Sequence, residues 1–409
     1  MVSPVEEYST VEAVVREALT AAATDPAVET VPTRSSCGRV ASEDLLADEN
    51  VPPLGSSHMD GFAFRYSDLL LPRGLRVVGE LGPGQRSGHR LKAGEAVRVA
   101  TGSLIPEGAD TVVPLEQAEV TGERVSPLTK LERGQFVYEA GEDLRKGDLV
   151  IQKGARVRPQ DLGLLIAMGV PRLAVFVKPR VTLIATGDEL TNSIDARGGR
   201  VRNSHVPLFA RLIEQVGCEP VDGGIVPDDP RRMTASLRKA LGSSDLVLTM
   251  GGTSVGKRDV VGDSVARLGP EVVFHGIRMD RGRVAGLAVV GGKPVVMMPG
   301  PIQGAMNAFL LLAMPFVRKL SGQSNVGLAL PARLSHGWEA RKRFPNFTKV
   351  IYVSLRATDR ELVAKPMLAE TESMTLLSRA NAFVIVPEEV TAMAAGEMVT
   401  ALMLPGFSF

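Results

Sequence analysis

A run of apolar residues that ends abruptly in a glycine-rich loop most constrains how this chain can fold. The run covers residues 245–250 and carries Leu246, Val247 and Leu248 without an intervening polar residue. A strand that is covered on both faces of a sheet has this continuous apolar pattern, whereas a half-exposed strand alternates apolar and polar positions. The run therefore predicts a buried strand in a parallel sheet.

The loop after this strand has the composition of an anion-binding site. Its glycines allow a tight turn that points consecutive N–H groups at a ligand, and its hydroxyl side chains add further donors. The residues are Gly251, Gly252, Thr253, Ser254 and Gly256, and Asp259 follows them. The loop lacks the Gly-Lys-Ser/Thr ending of a Walker motif, and its glycines do not have the spacing of the dinucleotide-binding fingerprint. Phosphate is the expected ligand, although an ordinary strand-to-helix turn also fits the loop taken alone.

Length and charge exclude several classes of protein. A chain of 409 residues exceeds one hydrophobic core, so two to four domains are expected. A net charge of +1 offers no general attraction to nucleic acid or to an acidic membrane. Cys37 and Cys218 form no CxxC pair, so neither a zinc site nor a disulfide framework is indicated. The acidic N-terminus and the short apolar stretch 305–317 predict a cytoplasmic protein without a membrane span.

Residues 179–322 alternate between strand and helix patterns, which is typical of a doubly wound α/β fold with right-handed crossovers. The predicted strands are 181–185, 219–226, 245–250 and 271–277 with a further pair through 298, and the predicted helices are 205–216, 232–241, one that ends at 268, and 303–320. Ligands of such sheets bind at the carboxyl ends of the strands. The loops with Glu189, Asp228 and Asp259 are therefore expected to converge on one exposed crevice that binds metal and phosphate.

The regions on either side of this α/β pattern are predicted to be rich in short strands. Residues 75–140 form short alternating runs separated by glycine and proline, which indicates a small β-rich domain. After residue 322 the predicted strands are 329–334, 349–355, 361–365, 382–386 and 398–404. These five strands favour a small β-barrel or sandwich. Amphipathic spacing predicts a helix over 8–24, and the run 162–168 after Pro159 is also predicted to be helical.

Six motifs occur in a fixed order along the chain. They are Ser-His-Met-Asp-Gly-Phe-Ala at 57–63, the loop 101–110, Gly-Glu-Asp at 141–143, Thr-Gly-Asp-Glu-Leu at 186–190, Asp-Asp-Pro at 228–230 and the loop 251–259. In these motifs the chain resembles the molybdopterin molybdenumtransferase family, which includes bacterial MoeA and the gephyrin E domain. The resemblance covers nearly the whole chain, and six motifs in one order with similar intervals make it specific.

The resemblance implies a multi-domain α/β fold and particular partners. The implied parts are a linking α/β segment at 1–48 and 141–177, a β-rich lid domain at 49–140, a doubly wound α/β molybdopterin-binding domain at 178–322 and a C-terminal β-barrel at 323–409. A homodimer is implied, in which the small domain of the other subunit completes the site. Molybdopterin adenylyltransferase is the implied upstream donor and molybdoenzyme apo-proteins are the implied recipients, with no nucleic-acid or membrane partner.

The resemblance also implies a reaction and its residues. Molybdenum from molybdate, or tungsten from tungstate, enters adenylylated molybdopterin with release of AMP in the presence of Mg²⁺. The implied catalytic residues are Asp60, Thr101, Asp143, Asp228 and Asp259. The implied cofactor-binding residues are Thr186, Asp188, Glu189, Gly251, Gly252, Ser254, Gly256, Arg283, Pro299, Gly300 and Ser373. The implied metal ligands are Glu189, Asp228 and Asp259.

Segment 276–302 departs from the family pattern. The family has lysines in Lys-x-x-x-Lys-Pro-Gly-Lys-Pro, and here Gly276 and Asp280 occupy two of those positions. The family loop Pro-Gly-Asn-Pro ends here in Pro301 and Ile302, and His205 replaces a usual asparagine. Unit charges in contact interact by about 4 kcal/mol at a surface-like dielectric constant. Asp280 beside the oxyanion is therefore expected to weaken the binding of molybdate.

Three functions remain open at this point. An active insertase agrees with the retained acidic and glycine-rich motifs. A catalytically weak paralogue that binds molybdopterin as a carrier, sensor or scaffold agrees with the altered segment 276–302. A generic phosphate-ester or nucleotide-binding enzyme explains the loop 251–259 but leaves the motifs before residue 150 unexplained.

Overall fold

The computed structural model describes residues 8–71, 73–88, 90–195, 197–253, 259–324, 327–341, 344–367 and 373–405. The chain divides into two compact units. The first unit consists of Met1–Glu43, Lys153–Arg158 and Arg172–Phe409, and the second consists of Asp44–Gln152 and Pro159–Pro171. The finer division into four domains stays a prediction. In the described residues, no helix combines the length and the apolar character that crossing a membrane requires.

A six-stranded mixed sheet forms the centre of the first unit. Its strands, in spatial order, are Glu219–Val226, Arg180–Thr186, Leu246–Met250, Lys293–Met298, Gly286–Val290 and Val272–His275. The first four are parallel, and Gly286–Val290 is antiparallel to both of its neighbours. Leu246–Met250 is buried at every position, which confirms the strand predicted from its continuous apolar run.

Helices cover both faces of this sheet, as the doubly wound prediction requires. The helices of the first unit are Val11–Ala21, His205–Gln215, Pro230–Ser243, Val260–Ala266, Ile302–Ala308, Met314–Leu320 and Met374–Arg379. Leu246, Leu248 and Met250 point into one core, and Val247 points into the other. This alternation explains why the strand needs apolar residues at successive positions.

The predicted helix 303–320 contains a π-helical turn. Ile302–Ala308 and Met314–Leu320 are α-helical, and Phe309–Ala313 between them is π-helical. Pro315 lies in the first turn after the π segment. Proline lacks the N–H of a regular helical bond and its ring crowds the preceding turn, and a wider turn accommodates it.

The C-terminal part of the first unit is a closed five-stranded barrel, one of the two architectures predicted for it. Its strands, in order around the barrel, are Ala329–Leu334, Leu362–Pro366, Lys349–Ala357, Ala382–Val386 and Met398–Met403. Three two-stranded pairs complete the first unit: Val28–Pro32 with Arg172–Phe176, Leu190–Thr191 with Val201–Arg202, and Trp338–Glu339 with Ala392–Met393. Closing the sheet pairs its edge strands and so protects their backbone groups.

The second unit is rich in strands, as predicted for residues 75–140. Its six-stranded sheet has the order Thr111–Pro114, Gly61–Phe64, Glu95–Val99, Leu75–Leu81, Arg124–Pro127 and Ala118–Thr121. Two smaller pairs are Leu45–Leu46 with Leu149–Ile151 and Ser56–Ser57 with Val137–Tyr138, and Pro159–Ala167 is a helix. Gly61 pairs with Val99, so Asp60 and Thr101 lie at neighbouring strand ends.

Candidate functional site

Four parallel strands of the first unit end at one edge of the sheet. Their last residues are Thr186, Val226, Met250 and Met298. Because parallel strands present their carboxyl ends to the same edge, the loops that follow them are brought together. The predicted convergence of these loops is therefore a property of the fold.

Two of these loops are joined by hydrogen bonds between residues predicted from the sequence. The Thr186 hydroxyl donates to Asp228 Oδ1 at 3.3 Å, and the Asp228 N–H donates to Asp188 Oδ1 at 3.2 Å. Thr186 is buried, whereas the two aspartates are exposed. The buried hydroxyl thus holds one carboxylate oxygen of Asp228 and leaves the rest of that carboxylate at the surface.

The glycine-rich loop begins in a backbone conformation that requires glycine. Gly251 has φ +90° and Gly252 has φ +66°. A Cβ on Gly251 would lie 2.7 Å from the Thr186 carbonyl oxygen, and one on Gly252 would lie 2.6 Å from Thr186 Cγ2. The loop therefore passes directly against the loop that carries Asp188 and Glu189. Ser254 and Gly256 lie outside the described residues.

We expect Gly251→Ala to lower the free energy of unfolding by about 2–3 kcal/mol, since both the positive φ and the contact with Thr186 oppose a Cβ. Gly224→Ala is the matched control, because Gly224 has φ +78° but a Cβ there meets no described atom within 4 Å. It should cost only about 1 kcal/mol. Chemical denaturation measures the free energy of unfolding of both variants. Equal decreases would show that the contact with Thr186 does not contribute to the destabilisation.

Asp259 is buried, although the sequence suggested an exposed crevice. Its exposed fraction is 7 %, and its Oδ1 accepts the Gly262 N–H at 2.9 Å as the N-cap of Val260–Ala266. Its Oδ2 lies 3.3 Å from His275 Nε2 but makes no aligned hydrogen bond. Burial raises the pKa of Asp259, while Gly262 and His275 oppose that shift. The capping bond explains the burial, because it draws the carboxylate onto the helix.

A cleft of about 480 Å³ opens beside these loops. Its lining combines four residues predicted to bind the cofactor, Thr186, Glu189, Gly251 and Gly300, with several residues that were not predicted. The lining residues are Ala185, Thr186, Glu189, Leu190, Val201, Arg202, Asn203, Ser204, His205, Met250, Gly251, Gly300, Pro301, Ile302 and Met374. Arg202 ends the two-residue strand Val201–Arg202, and Asn203 and Ser204 follow it without a distinctive motif. Met374 comes from a distant part of the chain, so local patterns could not identify these residues.

Three predicted cofactor-binding residues have structural contacts. The guanidinium of Arg283 lies over the Phe344 ring, 5.0 Å from its centre. Ser373 caps the helix Met374–Arg379 by accepting the Leu376 N–H at 3.2 Å. Pro299 is buried and is not among the described lining residues of the cleft, whereas Gly300, which follows it, is. Their roles toward a cofactor remain predictions.

Segment 276–283 contacts the barrel. The Asp280 N–H donates to the Thr348 carbonyl at 2.9 Å, and Arg278 forms a 3.5 Å ion pair with Glu388. Asp280 Oδ1 accepts the N–H of Arg281 at 3.0 Å. Asp280 is absent from the described lining of the cleft. The suggested repulsion between Asp280 and an oxyanion thus has no support from its position.

The predicted metal ligands do not form a protein cage. Among the described residues no three His, Cys, Asp or Glu side chains are arranged to bind a metal ion. Glu189 and Asp228 are exposed, while Asp259 is buried. Mg²⁺ is commonly bound by one or two carboxylates together with substrate phosphates. The neighbouring carboxylates of Asp188 and Asp228 fit this kind of partial site, which a ligand would complete.

The second unit contains three predicted catalytic residues. Asp60 Oδ1 accepts both the backbone N–H of Thr101, at 2.7 Å, and the Thr101 hydroxyl, at 3.0 Å. These two bonds hold the pKa of the Asp60 carboxyl below its usual range. Asp143 is also exposed, and its N–H donates to the Val51 carbonyl at 3.1 Å. The Asp60–Thr101 pair is thus ordered and charged near neutral pH.

Comparison with known protein families gives three matches that follow one another along the chain. The MoeA N-terminal region (domain I and II) matches residues 9–169, and the probable molybdopterin binding domain matches residues 182–319. The MoeA C-terminal region (domain IV) matches residues 331–404. The central match covers nearly all of the sheet and every lining residue of the cleft except Met374, and the last match covers nearly all of the barrel.

Individual relatives agree along nearly their whole length. Molybdopterin molybdenumtransferase of Bacillus subtilis (strain 168) is 31 % identical over 392 residues, which are 92 % of this chain and 90 % of that protein. The enzyme of the same name from Nostoc sp. is 29 % identical over 394 residues, 90 % of this chain and 87 % of its own.

A solved structure agrees with the fold as well. The molybdopterin biosynthesis moea protein from Pyrococcus horikosii superposes with a TM-score of 0.83 at 27 % identity, covering 98 % of this chain and 100 % of that one. The resemblance inferred from the six motifs is therefore confirmed, and the chain belongs to the molybdopterin molybdenumtransferase family.

Proposed function

We propose that this enzyme acts in molybdenum cofactor biosynthesis by inserting molybdenum from molybdate into adenylylated molybdopterin with release of AMP. The observation that carries the proposal is the joining of the Thr186, Asp228 and Gly251 loops beside one cleft. These loops offer backbone N–H groups and carboxylates, which suit a phosphoanhydride and its counter-ion. The names of the relatives support the same substrate class.

The lining of the cleft suits a planar heterocycle that carries polar groups. Leu190, Met250, Ile302 and Met374 supply apolar surface, and the neighbouring Asn203 and Ser204 supply polar groups. Arg202 is the one lysine or arginine among the described lining residues. Apolar walls with a few convergent polar groups are the usual composition of a small-molecule site.

The finer features of the reaction belong to this proposal. Mg²⁺ would be held by Asp228 and Asp188 with the substrate phosphates, and it would neutralise charge on the phosphoanhydride. Tungstate would be the alternative to molybdate, because the two oxyanions have the same charge. Molybdopterin adenylyltransferase would supply the substrate, and molybdoenzyme apo-proteins would receive the product.

The test is metal analysis of the pterin after incubation with purified enzyme, adenylylated molybdopterin, Mg²⁺ and either molybdate or tungstate. We expect molybdenum in the recovered pterin together with an equal amount of AMP. Omitting Mg²⁺ should suppress both products. Binding of the pterin without metal insertion or AMP release would overturn the proposal.

A second candidate function is a binding protein with weak catalysis. Its support is that the three arginines of residues 276–283 all have partners within the protein: Arg278 pairs with Glu388, Arg281 donates to Gln303, and Arg283 lies over Phe344. An oxyanion would then have fewer cations near it than the family pattern provides. The same incubation distinguishes the two candidates, because the binding protein would retain the pterin without changing its metal content.

A homodimer is the proposed assembly, with Asp60, Thr101 and Asp143 of one subunit acting with Asp228 of the other. If so, mixing Asp60→Ala subunits with Asp228→Ala subunits should give heterodimers with one intact site of two. We expect each heterodimer to have about half of the wild-type activity, and a randomly exchanged mixture about a quarter, as for a site built from both chains. Subunit exchange is verified by mass spectrometry. Verified heterodimers without recovered activity would contradict a shared site.

A further inference from the structure

His205 joins two walls of the cleft through one hydrogen bond. It is the first residue of the helix His205–Gln215, and its Nε2 lies 2.9 Å from the Gly300 carbonyl oxygen. Because a carbonyl can only accept, Nε2 carries the proton and donates it. The N-terminus of His205–Gln215 is thereby fixed to the loop before the helix Ile302–Ala308, since Gly300 and Pro301 directly precede that helix.

The bond to Gly300 determines what the other ring nitrogen can do. Burial holds the pKa of His205 below its usual range, although the bond to Gly300 opposes the shift. A neutral ring with its proton on Nε2 has an acceptor at Nδ1. Ser204 Oγ lies 3.5 Å from Nδ1, so the hydroxyl donates to the ring. The oxygen of Ser204 keeps its acceptor capacity for a ligand in the cleft.

Pro301 makes this contact important for the position of the loop. Proline has no backbone N–H, so residue 301 cannot donate a hydrogen bond from its main chain. Its carbonyl accepts the Ala305 N–H at 3.0 Å, which begins the following helix. Residue 301 thus cannot tie the loop to the opposite wall through its own N–H. The bond from His205 to the carbonyl of Gly300, the preceding residue, makes that connection instead.

We propose that His205 is a positioning residue that sets the affinity for the pterin. It holds the wall formed by Gly300, Pro301 and Ile302 at a fixed distance from the opposite wall, and it orients Ser204 as an acceptor. The ligand class is a planar nitrogen heterocycle with amide and amino N–H donors. This inference rests on the proposed function for the identity of that heterocycle. The contacts of His205 affect how the ligand binds, and the inference assigns His205 no part in the chemical step.

The experiment compares His205→Phe with His205→Gln by equilibrium binding of metal-free molybdopterin and by steady-state kinetics. Phenylalanine keeps a ring near Phe209, whose centre lies 6.3 Å from that of His205, but it removes both hydrogen bonds. We expect the Kd and KM for the pterin to rise about 10-fold, as for the loss of one or two neutral hydrogen bonds, with kcat within about 2-fold. Glutamine can still donate to Gly300 and should recover most of the affinity.

His336→Phe is the matched control. His336 also follows a serine whose Oγ lies close to its Nδ1, at 2.8 Å for Ser335, but it is exposed on the barrel and does not line the cleft. It should bind the pterin as the wild type does. Ser204→Ala should weaken binding by a smaller factor than His205→Phe, because the bond to Gly300 is retained.

Several outcomes would overturn the inference. His205→Phe could bind the pterin as tightly as the wild type, it could lose kcat with an unchanged KM, or glutamine could fail to rescue. Wild-type protein that binds no pterin would also overturn it. Failure of the proposed function is distinguishable, since wild-type protein would then bind the pterin without inserting molybdenum, and the ratio of affinities between the variants would still decide the role of His205.

Discussion

Asp228→Asn is expected to lower kcat/KM for adenylylated molybdopterin by about 100-fold or more, the size of effect seen when an electrostatic contact made in the transition state is removed. Asp228 is exposed at the edge of the sheet, and the buried Thr186 hydroxyl occupies its Oδ1. Asparagine preserves the shape of the side chain but removes the charge. The measurement is the rate of AMP release at limiting Mg²⁺.

Asp229→Asn is the matched control for this prediction. Asp229 is the adjacent carboxylate, but its Oδ1 accepts the N–H groups of Arg231 and Arg232 and caps the helix Pro230–Ser243. Asparagine is also a good N-cap, so this change should leave both activity and stability nearly unchanged. Equal losses of activity in the two variants would contradict a specific role of Asp228. They would show that activity depends only on the total negative charge at this edge of the sheet.

Lys349→Met is expected to lower the free energy of unfolding of the barrel by about 3 kcal/mol, because buried carbonyl groups would lose their donor. Lys349 is 2 % exposed. Its Nζ donates to the carbonyl oxygens of Pro345 at 2.6 Å, Val390 at 2.9 Å and Glu388 at 3.0 Å. Methionine matches the length of the side chain but cannot donate.

Urea denaturation followed by tryptophan fluorescence measures this effect in the barrel itself. Trp338 is the single tryptophan of the sequence, and it packs against the core of the barrel. Lys365→Met is the control, since Lys365 is exposed on the strand Leu362–Pro366. Its effect should stay within about 0.5 kcal/mol. If Lys349→Met had a similarly small effect, water would be donating to these carbonyl groups in place of the ammonium group, with little loss of stability, and the prediction would be wrong.

The altered segment 276–302 illustrates how sequence and structure contribute differently to a functional interpretation. From the sequence, Asp280 suggested a weakened oxyanion site, because it places a negative charge where the family pattern has a lysine. In the structure, the segment contacts Thr348 and Glu388. Asn307 also donates to the Asp280 carbonyl at 3.0 Å, and it accepts from the buried Tyr352 hydroxyl at 2.7 Å. These polar contacts give the segment a structural role in joining the sheet to the barrel.

The sequence by itself determined the fold class and the edge of the sheet at which the candidate site lies. Continuous apolar runs such as Leu246–Met250 predict buried strands, and alternating strands and helices predict a parallel arrangement with all carboxyl ends together. The motifs then placed Thr186, Asp228 and Gly251 at those ends. These properties depend on the order of residues along short stretches of the chain, so the sequence alone predicts them.

Only the tertiary structure decided which atoms of these residues are available to a ligand. Asp228 and Asp259 have the same side chain and similar positions after strands, yet one is exposed and the other is buried as a helix cap beside His275. Likewise, the cleft gains Met374, and the bond from His205 to Gly300 crosses 95 positions of sequence. Burial and hydrogen bonding arise from residues that are far apart in the chain, so local patterns cannot encode them.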